Sequence, residues 1–255
     1  MSEHHPDVAR RTLEGVLADT SVGAVAVATP IATHAKIGRA VLGAGKHLLI
    51  EKPMAADEAE ARTLVDLAAA KQLTLVTGYV SLYHPCYREL AKLLAGRAIK
   101  SARLIWKKQG TFEEAVELNL LTHDLSIALG LFGEPSSART LRREGSVTEA
   151  DILETELRYP NDVTVSSSID RTSNERQRLI EVVTADDETI TWDGPALRLR
   201  AKDGAEREIF RDKRQPLAIE VGEFLAAIKG GSVPPTAGDF GARVLAVHAT
   251  IQGLQ

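Results

Sequence analysis

Three short apolar runs, Val22–Ala28 (VGAVAVA), Lys46–Glu51 (KHLLIE) and Leu73–Thr77 (LTLVT), alternate with segments of helical spacing. That alternation constrains the fold more than any other feature of the chain. Short apolar, β-branched runs are the pattern of strands buried on both faces. Pro30 stops the first run. Thr33–Leu42 then carries helical spacing and ends at Gly43 and Gly45. Asp57 is placed to cap a second helix that runs to about Lys71, with Glu60 three residues on as in a capping box. A third helix fits Pro85–Leu94, with Leu90, Leu93 and Leu94 inward. Strands alternating with helices predict a parallel sheet with right-handed crossovers. Ligands of such sheets collect beyond the carboxyl ends of the strands. Thr29-Pro30, Glu51-Lys52-Pro53 and Gly78-Tyr79 are therefore expected on one rim.

The pattern changes after residue 97. Ile99–Lys108 reads as a strand, and Glu113–Phe132 as a long helix stopped at Gly133 with Pro135 beyond. Strand-like runs follow at Ile152–Tyr159, Val163–Ile169, Arg178–Thr184, Thr189–Trp192 and Leu197–Ala201, separated by turn residues. Helices at Leu217–Lys229 and Asp239–Gln252 close the chain. The expected class is α/β: a parallel sheet over residues 1–97, then an α+β domain with a largely antiparallel sheet over 98–255.

Composition bounds the function. With 44% hydrophobic and 26% charged residues, the 255-residue chain can bury a real core. A net charge of -4 lacks the overall footprint of a nucleic-acid binder. No stretch approaches the ~18 unbroken apolar residues of a membrane span. The polar start, Met1–Arg11, lacks an apolar signal core, and Cys86 is the only cysteine. Both features point to the cytoplasm and away from disulfides.

Lys52, at the end of a buried strand, admits two readings. It is an ordinary exposed lysine, or a ligand-facing one tuned by partial burial and neighbouring charge. Asn119 and His123 stand i, i+4 on one helix face among leucines. His123 is there either a satisfied core residue, with Asp124 or Thr122 as its partner, or an acid/base. Thr33 is a candidate helix cap, with His34 beside it. The cluster Tyr79, Tyr83 and His84 suits a sugar-like ligand or plain packing. The Arg139, Arg142, Arg143 cluster reads as a solvated face. No G-x-G-x-x-G, P-loop, G-x-S-x-G or metal-ligand spacing occurs.

Taken in order, VAVATPIATHAKIGRAVLGAGKHLLIEKPMA, GYVSLYHPCYRELAKLL, LNLLTHDLSIALGLFGEP and PLAIEVGEFLAAIKGGSVPPTAGDFGARVLAVHAT resemble one family from about Leu13 to the C-terminus. This is the glucose-fructose oxidoreductase / inositol dehydrogenase / rhizopine-catabolism family of NAD(P)-dependent oxidoreductases. The resemblance implies a partial Rossmann-type domain over residues 1–97, followed by a C-terminal domain over 98–255 whose largely antiparallel open sheet supports homo-oligomers. It implies NAD or NADP as cofactor and a carbohydrate-like small molecule as substrate, with neither nucleic acid nor membrane as partner. Lys52 would be the lysine of the family's E-K-P motif. His123 would be the histidine of its D-x-x-x-H pattern and the acid/base. Thr29, Pro30, His34, Glu51 and Lys52 would line the cofactor. Tyr79, Tyr83, Asn119 and His123 would approach the substrate.

The chain departs from the family pattern in places. Asn119 replaces an aspartate, which removes a charge that would raise the His123 pKa. Ile31 replaces a frequent asparagine, and Val80-Ser81-Leu82 lacks a frequent arginine. The family's first strand and glycine-rich turn have no counterpart, a difference on the order of 60 residues at the size of a βαβ unit. That turn offers N–H groups to the pyrophosphate, so its absence implies weak NAD(P) binding. The alternative is thus a non-catalytic or truncated homologue that keeps the pocket.

Overall fold

The computed structural model describes residues 9–110 and 116–253. After a short helix α1 (Leu13–Ala18), β1 (Ala24–Val27), α2 (Ile31–Gly43), β2 (His47–Glu51), α3 (Glu58–Ala70) and β3 (Leu75–Gly78) follow in strict alternation. The three strands form one parallel sheet in the order β1-β2-β3. Leu48, Ile50 and Leu75 face α2 and α3 in one core, while Leu49 and Val76 face the opposite side. Asp57 caps α3 as expected, accepting the Glu60 N–H at 2.8 Å. Thr33 is not a cap. It lies inside α2, whose N-cap is Pro30, and its hydroxyl donates to the Pro30 carbonyl at 2.7 Å.

A 3-10 turn (Val80–Tyr83) and α4 (Pro85–Leu94) lead into β4 (Ile99–Lys107). The next element is α5 (Thr122–Phe132), preceded by a wide π turn (Glu117–Leu121) where a continuous helix was expected. The first residues of that expected helix, 113–115, lie outside the described residues. Seven strands follow: β5 (Ser137–Glu144), β6 (Ile152–Arg158), β7 (Thr164–Asp170), β8 (Gln177–Thr184), β9 (Thr189–Asp193), β10 (Ala196–Arg200) and β11 (Glu206–Arg211). With β4 they form an eight-stranded sheet in the order β11-β10-β9-β8-β4-β7-β6-β5. Every pairing is antiparallel except β4 with β7.

Helices α6 (Pro216–Ile228) and α7 (Phe240–Gln252) close the chain. Before α7 the backbone returns to the small sheet. Thr236 accepts the Thr77 N–H at 3.0 Å, and the Gly238 N–H donates to Leu75 at 2.9 Å. The α6 residue Phe224 covers the Leu49/Val76 side of that sheet. Helix α7 serves both cores: Ala242 and Leu245 pack with the small sheet, Phe240, Val244, Val247 and Ile251 with the large one. The inward residues of the large sheet, among them Leu104, Leu153, Val165, Ile180 and Val182, are buried under α4, α5 and α7. No described helix is long and apolar enough to cross a membrane.

Candidate active site

The parallel register puts Thr29, Glu51 and Gly78 at the carboxyl ends of β1, β2 and β3, so the expected rim forms. Thr29 and Pro30 are exposed there, and Glu51 and Lys52 are half-buried. The Lys52–Pro53 peptide is cis, which turns the chain sharply at the strand end. Lys52 Nζ donates to the Asn119 carbonyl at 2.7 Å and to Asn119 Oδ1 at 3.0 Å. The lysine is thus fixed across the boundary between the sheets, against the π turn that leads into α5. His123 stands one helical turn beyond Asn119, so Lys52, Asn119 and His123 meet, as their spacing allowed.

The His123 ring lies 5.4 Å from the Trp106 ring, and the Arg178 guanidinium covers that tryptophan at 4.2 Å. Arg178 is held by Asp124 at 2.6 Å, and Asp124 also accepts a hydrogen bond from Ser167. Asp124 and Thr122 do not satisfy His123. Asp124 is rotated ~100° round the helix by its i+1 position, and the Thr122 hydroxyl donates to Leu118. His123 Nδ1 is buried without a hydrogen-bond partner among the described residues. Burial first, then the cations Lys52 and Arg178, hold the imidazole pKa well below its ordinary value. His123 is therefore a neutral imidazole near pH 7, with a lysine ammonium on its flank.

Other expected site residues lie elsewhere. His34 is buried, with Nδ1 2.8 Å from the Pro53 carbonyl and Nε2 2.7 Å from the Thr29 carbonyl. It ties two rim turns together from below instead of facing a ligand. Tyr79 and Tyr83 turn away from the rim into the core of the large sheet, both fully buried. The Tyr79 ring packs edge-on against Phe240, and the Tyr83 hydroxyl pairs with Thr236 at 2.7 Å. Their aromatic content, which suggested a sugar platform, serves packing. His84 caps α4 by accepting the Cys86 N–H at 3.1 Å. Cys86 is a buried free thiol. Trp106, Asp124, Arg178 and Ser167 surround His123 but carried no local pattern, because three separate strands and α5 bring them together.

Beside this cluster a cleft of about 730 Å³ opens between the inner face of the large sheet and the start of α6. Trp106 and Arg178 belong both to its wall and to the surroundings of His123. The volume lies within the ~300–1,000 Å³ typical of small-molecule sites.

Comparison with known proteins fits this geometry. The model of an oxidoreductase family with an NAD-binding Rossmann fold matches residues 3–79. The UDP-N-acetylglucosamine 3-dehydrogenase of Acidithiobacillus ferrooxidans is 29% identical over 261 residues, covering 94% of this chain and 80% of that protein. Its crystal structure superposes with a TM-score of 0.89 at 27% identity, covering 100% of this chain and 86% of that one. A dTDP-3,4-didehydro-2,6-dideoxy-alpha-D-glucose 3-reductase of Streptomyces violaceoruber is 35% identical over 92 residues, covering 36% of this chain and 27% of that protein. The small parallel sheet, the large mixed sheet and these matches agree: the chain resembles the glucose-fructose oxidoreductase / inositol dehydrogenase / rhizopine-catabolism family of oxidoreductases in both sequence and fold.

Proposed function

We propose that the chain is an NAD- or NADP-dependent oxidoreductase of the cytoplasm. Its reaction moves a hydride between the nicotinamide and a carbon bearing the secondary alcohol or ketone of a sugar, sugar nucleotide or polyol. One observation carries this reading: Lys52 is held on Asn119, one helical turn from a neutral His123, at the open rim of a parallel sheet. The rim suits the nicotinamide end of the cofactor, since Thr29 and Pro30 are exposed beside half-buried Glu51 and Lys52. When bound, the nicotinamide supplies the redox chemistry.

The protein supplies the proton and charge handling. As a carbinol is oxidised, its hydroxyl proton must leave, and the neutral imidazole of His123 is positioned to take it. The Lys52 ammonium stabilises the negative charge that develops on the substrate oxygen. Asn119 holds Lys52 in place without adding a charge of its own. In ketone reduction the same groups act in reverse. The outer face of the large sheet supports association of two copies.

Turnover of keto-sugars by the full chain at millimolar NAD(P)H tests the assignment. Lys52→Ala and His123→Ala are each expected to lower kcat by about 10²–10⁴. An active preparation indifferent to Lys52→Ala would overturn it. A second reading has one feature in its favour, since no G-x-G-x-x-G turn occurs in these 255 residues. Under that reading the chain binds the substrate and does not turn it over, and the wild type is as inert as the variants.

A further inference from the structure

Both tryptophans of the chain, Trp106 and Trp192, line the cleft beside His123. So do Arg176, Arg178, Lys213 and Arg214, against the carboxylates Asp193 and Asp212. The charges do not cancel. Asp212 pairs with Arg214 at 2.8 Å, and Asp193 with Arg198 at 3.3 Å. Arg178 is taken by Asp124 at 2.6 Å. Arg176 and Lys213 remain, both exposed and both without an ion-pair partner among the described residues. In a chain of net charge -4, this cleft keeps two unmatched cations. The first turn of α6, which has no side-chain cap, opens on the same cleft at Pro216 and adds partial positive charge.

A neutral hexose or polyol gives two such cations nothing to pair with. A diphosphate does, and guanidinium and ammonium groups are the usual phosphate partners. The half-buried His84 ring, 5.0 Å from the Trp192 ring in the same wall, gives an aromatic surface for a base. We propose that the cleft takes the nucleoside diphosphate part of a nucleotide-linked sugar, with Arg176 and Lys213 reading the diphosphate. The sugar then reaches past Trp106 toward His123 and Lys52. The proposal rests on the reading of the chain as a sugar oxidoreductase, and it names the residues that select the substrate class.

The test is binding, not turnover. UDP and dTDP are titrated calorimetrically into the full chain, with uridine and a hexose monophosphate as comparators. Either diphosphate is expected to bind at least tenfold more tightly than uridine and than the monophosphate. Arg176→Ala/Lys213→Ala is expected to weaken diphosphate binding tenfold or more. Both side chains are exposed and unpaired, so the variant keeps its fold. Lys52→Ala is expected to leave UDP affinity unchanged, which separates this site from the hydride-transfer assignment. Equal binding of uridine or of the hexose monophosphate overturns the proposal. So does a double variant with wild-type affinity for UDP and dTDP, or no diphosphate binding at millimolar concentration.

Discussion

Glu220 is a carboxyl shut away from water on α6, 1% exposed, with Oε1 unpartnered among the described residues. Burial, then the nearby Glu51 charge, push its pKa up from 4.5 to about 8. Between those values the folded chain holds a proton that the unfolded chain has lost. Stability therefore falls as pH rises through the window and is fully present only below about 4.5. The slope has an upper bound of about 1.4 kcal/mol per pH unit. Glu220→Gln removes the titration, so the variant is expected to gain on the wild type from pH 5 to pH 9. Urea midpoints of both proteins at the two pH values read the effect, and identical pH dependence would rule it out. Asp151 shifts the other way. Burial alone would raise its pKa, but N–H groups of Val147, Ser146 and Thr148 and the Thr148 hydroxyl outweigh it and hold the carboxylate ionised. Its partner is the buried Arg171, at 2.7 Å.

At the scale of elements, the two strands that no sequence pattern announced are β5 (SARTLRRE) and β11 (EREIFR). They are the two edges of the large sheet. Edge strands bury little and are kept from aggregating by charge, so the apolar alternation that revealed β6 to β10 is missing from them. The Arg139, Arg142 and Arg143 cluster is β5 itself, paired with Glu156, Glu144 and Glu117. In the parallel half, β1, α2 and β2 are bounded by Pro or Gly, α3 opens on the Asp57 cap and β3 ends at Gly78, so all five were legible; the six-residue α1 was not. Lys52, Asn119 and His123 were legible because a strand end and an i, i+4 spacing fix them locally. The neighbours of His123 were not, since only tertiary pairing assembles them. Glycine contacts make the packing of the closing helices testable. A β-carbon on Gly241 of α7 would lie 2.4 Å from Thr77 Oγ1 and 2.8 Å from Met54 Cε. A β-carbon on Gly222 of α6 meets nothing within 4 Å. Alanine is worth up to about 1 kcal/mol over glycine in a helix, and overpacking costs about 1–3 kcal/mol. Gly222→Ala is expected to stabilise by up to about 1 kcal/mol, and Gly241→Ala to destabilise. Thermal unfolding of the two variants checks the difference, which disappears if α7 can slide freely on β3.

For the whole molecule, the large sheet has one covered face and one open face. Helices close the face of Leu104, Val165 and Ile180. The other face carries Ile105, Leu179 and Val183, each half-buried, beside the Arg103–Glu181 pair at 3.1 Å. Ile105 lies directly opposite Leu179, and Ser101 opposite Val183, so the apolar side chains form a band across the central strands. A stable interface typically buries about 800 Å² per partner. A two-fold axis through the band would set the same surface of each copy against the other. We therefore expect sedimentation equilibrium of the wild type at micromolar concentration to give twice the chain mass. Val183→Asp places a charge in the band without touching the helix-covered core, so it is expected to yield a folded monomer. Substrate binding in the cleft, which lies on the covered side of the sheet, should survive the loss of the partner. A monomeric wild type would overturn the expectation of a dimer, and a Val183→Asp variant that still associates would place the contact on another surface.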